Sequence, residues 1–115
     1  MKTFLMSVFF IIFCHGALAD VQYFNGKIER IEVCKSNGGT IFIYFKDIVG
    51  VAPAKSNGCS NDVAFPLIWL NHKIGELTEF DKVILSTALT AQASERSVRV
   101  RYDDQTRFLQ SLAVD

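Results

Sequence analysis

From residue 21 onward the apolar positions follow the two-residue period of strands, then the 3.6-residue period of a helix, then return to strands. In the stretch 21–35, Ile28 sits on one phase while Ile31 and Val33 sit on the other. A regular strand keeps one phase, so Glu29 and Arg30 mark a bulge. Gly26 stands where a strongly bent strand has no room for a side chain. A bent, bulged first strand is what a small closed barrel needs to turn a corner. Ser36, Asn37, Gly38 and Gly39 predict a turn. Residues 40–45, Thr-Ile-Phe-Ile-Tyr-Phe, are all β-branched or aromatic. Both faces of this strand are apolar, so it is central or a partner chain covers one face. Ile48, Val49 and Val51 extend it past a kink at Gly50, and Pro53 ends it. Residues 55–62 form a polar loop. A third strand covers 63–70, with Pro66 at an edge or bulge position. Its Trp69 reads as core or as a binding aromatic.

Thr78 and Asp81 stand three residues apart, in the arrangement of a capping box. Phe80, Ile84, Ala88 and Ala91 then recur at helical spacing, with Val83 and Leu85 widening the stripe. The pattern predicts a helix from Glu79 to Ser94 that packs through Phe80, Ile84 and Ala88. Val98, Val100 and Tyr102 alternate with Arg99 and Arg101, the signature of a half-buried antiparallel strand. Asp103, Asp104 and Gln105 turn the chain into a last strand at 108–114, although 109–112 would also suit a short helix. Three strands, a helix and two strands predict a mainly β fold with one helix. The specific expectation is an OB-fold-like, five-stranded small barrel with the helix between strands 3 and 4. A two-layer α+β sheet would use the same elements.

The first nineteen residues stand apart. Lys2 supplies a positive charge, residues 4–14 are apolar except for Ser7, and Ala17-Leu18-Ala19 precedes Asp20. This is the layout of a secretory signal peptide, with residues 20–115 left as a single mature domain. The apolar run is too short for a stable membrane span, so the mature protein is expected to have no transmembrane segment. A lipoprotein would need small residues before Cys14, where Ile12 and Phe13 stand. The expected localisation is exported, periplasmic or secreted.

The whole chain has 115 residues and equal numbers of basic and acidic side chains, twelve of each. Loss of Lys2 leaves the mature domain at eleven against twelve. That balance argues against nucleic acid as partner, because such binders work through bulk positive charge. Cys34 and Cys59 are the two cysteines of the mature part. In an oxidising compartment they read as a disulfide closing about 25 residues, worth roughly 3 to 4 kcal/mol on the chain-entropy model. Reduced core thiols and a Cys–His reaction pair are the competitors. With His72 as the one histidine past the leader, the ligand set for a metal is poor. No metal and no cofactor is expected.

Two features together resemble a known family. Cys34 and Cys59 are spaced for one bridge across the first sheet. A helix, 80–93, then runs straight into the valine strand 97–102. This layout is similar to the B subunits of subtilase-cytotoxin and pertussis-like bacterial toxins. The resemblance implies a secreted OB-fold protein that assembles into a ring of five, binds cell-surface glycans and partners a toxin A subunit. The sequence departs from that family after Tyr102, where no late cysteine follows.

No catalytic signature is present: no G-x-S-x-G, H-E-x-x-H, P-loop or paired CxxC. A Ser-His-Asp triad could only use His72, which sits in a polar loop and reads as solvated. The chain is therefore expected not to be an enzyme. Arg96, Arg99, Arg101 and Arg107 form its basic concentration, and Arg99 and Arg101 share one strand face. They are the candidates for holding an acidic sugar, with Tyr44 or Trp69 stacking on its ring. The competing reading is a solvated face that protects a strand from aggregation. Two functions follow: an exported glycan- or receptor-binding subunit that forms a homo-oligomeric ring, or a monomeric accessory protein, an inhibitor or envelope-stress factor.

Overall fold

A computed structural model describes residues 21–35, 38–59 and 64–115. The leader at 1–19 and its cleavage site lie outside the described residues. So do Ser36 and Asn37 of the first turn, and residues 60–63, where the pattern starts the third strand.

The strands are β1 (Val21–Cys34), β2 (Thr40–Gly50), β3 (Lys55–Ser56), β4 (Phe65–Trp69), β5 (Val98–Asp103) and β6 (Leu109–Val114). A single 3₁₀ turn at Ile74–Glu76 leads into the helix α1 (Glu79–Ala93). The strands form a six-stranded sheet in the order β3-β4-β2-β1-β5-β6, with every ladder antiparallel. The fold is mainly β with one helix.

Two parts of the expected barrel need correction. The sheet has six strands rather than five, because Lys55 and Ser56, inside the polar loop, pair with Pro66 and Phe65. The helix therefore follows the fourth strand. Nor does a ladder close the sheet into a barrel. The end of β4 meets the residue before β6 in one parallel bridge, Trp69 to Phe108, where the Trp69 N–H donates to the Arg107 carbonyl at 3.2 Å. The strand β4 stops there, and the chain turns away through the 3₁₀ turn before a second bridge can form.

The β1–β2 register shifts between Asn25 and Lys27 and again between Ile28 and Arg30. These are the bulges that the phase change in β1 demands. Gly26 is buried at the first of them. A Cβ there would stand 3.1 Å from the Lys46 carbonyl oxygen and 3.2 Å from the Ile48 side chain.

The strand β2 separates two apolar clusters. Ile41, Ile43 and Phe45 join Phe24, Ile68, Val98 and Val100 in the main core, under Ile84, Ala88 and Ala91 of α1. Phe42 and Tyr44, on the opposite face, join Cys34 and Leu67, with Cys59, Phe65 and Trp69 packed against them. Five consecutive residues, Ile41 to Phe45, are thus buried. The chain's own β3–β4 segment covers the second face, and no partner chain is needed for that.

The helix begins as its capping box dictates. The Thr78 hydroxyl accepts from the Asp81 N–H, and the Asp81 carboxylate accepts from the Thr78 N–H. The buried stripe is Asp81, Ile84, Ala88 and Ala91. Phe80 is not part of it and is 59 % exposed. The capping contacts turn Asp81 inward, and its neighbour, about 100° round the helix, is left facing outward. Among the described residues no helix is long and apolar enough to cross a membrane.

Candidate functional site

The end of β4 and the segment after it border a cleft of about 720 Å³. Trp69, Asn71, His72 and Lys73 supply one wall, Phe42 and Phe108 supply apolar surface, and Ser56 of β3 contributes from the far side. The period-two alternation of β2 and β4 places Phe42 and Trp69 on the same outer face, where their rings meet edge to face at 5.7 Å. Trp69 is half-buried and borders the cleft. The Arg107 guanidinium lies 5.5 Å from the centre of that ring. Such a cation over an indole contributes about 0.5–1 kcal/mol at an exposed site and fixes the orientation of both groups.

The polar lining is one-sided in charge. Among the described residues that border the cleft, the ionisable ones are His72 and Lys73, and none is a carboxylate. Gly38 and Gly39, both with positive φ, carry the turn that admits Lys73. A Cβ on Gly38 would stand 2.9 Å from the Lys73 Nζ. The ammonium thus lies against the bare backbone of the first turn.

His72 is not simply solvated. Its Nδ1 lies 2.7 Å from Oδ2 of Asp81, a carboxylate only 5 % exposed. Burial alone would raise the Asp81 pKa. The Thr78 N–H, the Thr78 hydroxyl and His72 outweigh it and hold the carboxyl below the ordinary aspartate value. This is the Asp–His half of a triad. Among the described residues no serine, threonine or cysteine bonds to the other ring nitrogen. A smaller cavity of about 360 Å³ adjoins the first and shares Asn71, His72 and Phe108 with it.

Of the sequence-derived binding candidates, Trp69 alone borders this cleft. Tyr44 is fully buried, and its hydroxyl donates to Glu32 Oε1 at 2.6 Å. Burial, then the bond to Glu32, pushes its phenol well above the usual tyrosine value. It has no exposed ring face on which a sugar could stack. Arg99 and Arg101 lie on the exposed face of β5, away from Trp69. Arg99 pairs with Asp115 at 3.1 Å. The aromatic opposite Arg101 is Tyr23 of β1, 58 % exposed. From the sequence, Asn71 and Lys73 are not singled out as binding residues, and Arg107 is named only within the basic concentration. A polar Asn-His-Lys run directly after a strand that carries Trp is the signal that points to them.

Cys34 and Cys59, the pair expected to form a disulfide, lie together at the second apolar cluster as two thiols with no covalent bond between the sulfurs. Hydrogen bonding with Cys34 and then burial push the Cys59 pKa up to about 12. The Cys59 Sγ also contacts Glu32 Oε1 at 3.4 Å. Among the described residues no group of three or more His, Cys, Asp or Glu could hold a metal ion.

Comparison with protein-family models, with curated proteins and with solved structures found no match.

Proposed function

We propose that this chain is an exported, non-catalytic binding protein that takes an acidic saccharide in the Trp69 cleft. The observation that carries the reading is a half-buried indole in a cleft that Lys73 also borders and that no carboxylate borders among the described lining residues. An amphipathic aromatic offers a flat apolar surface to the C–H face of a sugar ring. Asn71 and His72 offer hydrogen-bonding edges, and the Lys73 ammonium offers a point charge for a carboxylate or sulfate. A few polar groups set into an apolar concavity are the usual make-up of a small-ligand site.

The same reading treats the sheet as a partly open OB-type barrel. Without the two-residue β3, the strand order is β4-β2-β1-β5-β6, with the end strands meeting at Trp69 and Phe108. In such barrels the face of the second and third strands, with the loops after the first and fourth, binds oligosaccharides and oligonucleotides. Gly38, Phe42, Trp69, Arg107 and Phe108 occupy those places here. The near-neutral charge of the chain and its leader pattern favour a saccharide over a nucleic acid.

The test is a glycan array with wild type, Trp69→Ala and Lys73→Ala, each checked for folding by circular dichroism. Trp69→Ala is expected to abolish binding. Lys73→Ala should weaken acidic glycans selectively, while Arg101→Ala leaves binding unchanged. An array blank for folded wild type overturns the saccharide reading. The monomeric accessory protein would then stand, favoured by the self-covered second face of β2.

A further inference from the structure

We infer that two copies of this chain pair through their β6 strands into an isologous dimer. The inference is independent of what the cleft binds. The two edges of the sheet differ. At one end β3 has only two residues, begins with Lys55 and faces Pro66. A very short edge bearing Lys and Pro is blunted against further pairing. At the other end, β6 presents Gln110, Ser111, Leu112, Ala113 and Val114, without charge or proline. Beyond the Phe108 bridge no described segment pairs with its outer edge.

The alternation of the backbone shows which groups are open. The Asp115 N–H donates to the Ser97 carbonyl of its own sheet at 3.0 Å. Ala113 and Ser111, in register with Arg99 and Arg101, point their N–H groups the same way. The N–H and C=O groups of Leu112 and Val114 therefore face outward from the edge. The register break between Arg101 and Tyr102 leaves Gln110 as a bulge, so the regular edge is 111–114. An antiparallel partner that satisfies both open residues sets Leu112 of one copy against Val114 of the other, with Ala113 on the two-fold axis. That register forms four hydrogen bonds. It brings no like charges together and puts only methyl groups at the closest approach.

The side chains agree with this register. Leu112 and Val114 are half-buried and extend the apolar layer of the main core onto the edge strand. A second copy continues that layer with the same two residues. Phe80, exposed on the helix, shares a cavity wall with Leu109 and Gln110 at the start of the same strand. It adds apolar surface beside the edge. A ring would need β6 of one copy to pair with the opposite edge of the next, and that edge is the blunted one.

Sedimentation of the purified protein tests the proposal, together with Ala113→Glu and Ala113→Cys. Ala113 is exposed, so neither change disturbs the fold, which circular dichroism verifies. Wild type is expected to be a dimer. Ala113→Glu places like charges directly opposite across the axis and should weaken dimerisation by about tenfold or more. Ala113→Cys should give a covalent dimer on oxidation, with peptide mapping locating a 113–113 link. A wild-type monomer, a larger ring, or a dimer insensitive to Ala113→Glu and without the 113–113 link would each overturn the inference.

Discussion

The imidazole Nδ1 of His72 stands 2.7 Å from Oδ2 of Asp81, nine residues further along the chain. One carboxylate thereby closes the first turn of the helix and anchors the wall of the cleft. The aspartate is buried and accepts from the Thr78 N–H, the Thr78 hydroxyl and the imidazole. Asp81→Ala should cost about 1–3 kcal/mol, the sum of a lost cap and of donors left without their acceptor. It should also loosen Asn71–Lys73, and saccharide affinity with them. Denaturant unfolding measures the first effect, and titration of the cleft ligand the second.

The same carboxyl makes an acid-side prediction. Its folded pKa lies below the ordinary aspartate value. A group depressed on folding contributes fully above its unfolded pKa and loses that contribution as pH falls through the folded one. Wild type should therefore lose stability on acidification more steeply than Asp81→Asn, and the two unfolding curves should converge below the aspartate range. Parallel curves down to low pH would show that Asp81 is not the group responsible.

Ile84 and Phe80 make a matched pair on the helix. Ile84 is 4 % exposed and sits in the main core, whereas Phe80 is 59 % exposed. Ile84→Ala should cost about 2–5 kcal/mol. Phe80→Ala should cost within about 0.5 kcal/mol in a monomeric unfolding assay, as for a surface change. A reversed order would mean that the helix is rotated from the position described.

Gly58 has a positive φ of 66°. A Cβ there would overlap the Tyr44 hydroxyl, which is fully buried and bonded to Glu32. Gly58→Ala should destabilise by about 2 kcal/mol or more, through backbone strain and overpacking together. Gly75, with nothing near its would-be Cβ, should tolerate alanine in the same assay.

The paired thiols predict a redox readout. Alkylation of Cys59 should be slow at neutral pH and accelerate as pH approaches about 12, because the thiolate is the reacting form. Exchange with an external disulfide would oxidise the pair to a Cys34–Cys59 bridge, with loss of two hydrogens, and should raise the melting temperature. Intact mass with and without reductant follows the conversion. A product carrying two mixed disulfides would exclude the bridge.

Much of the sheet was legible because burial on one face leaves a clear alternation. Val98, Val100 and Tyr102 mark β5 in that way, and the phase change around Glu29 marks the bend of β1. The helix was legible from Thr78 and Asp81, which act locally. Long-range covering was not. The apolar character of Phe42 and Tyr44 says that their face is buried, but what buries it is a segment that reads as a polar loop. That segment hides a two-residue strand too short for any period. For the same reason Tyr44 was legible as an aromatic and not as a core residue. The His72–Asp81 pair depends on how a 3₁₀ turn folds a loop back onto a helix, and no residue spacing encodes that. Trp69 sits at a sheet margin, where core and ligand surface are the same ring.

The second cover over β2 also protects the chain from itself. Residues 41–45 combine β-branched and aromatic side chains without a charge or a proline, the composition of segments that stack into amyloid. In the native protein that stretch lies between two strands and beneath two apolar layers. If the flap that carries Lys55, Ser56 and Cys59 lifted while the main core held, Phe42 and Tyr44 would meet water first. The hazard to solubility therefore lies in partial opening as much as in global unfolding. A bond between Cys34 and Cys59 would act on that opening, by tethering the flap where it shields the strand.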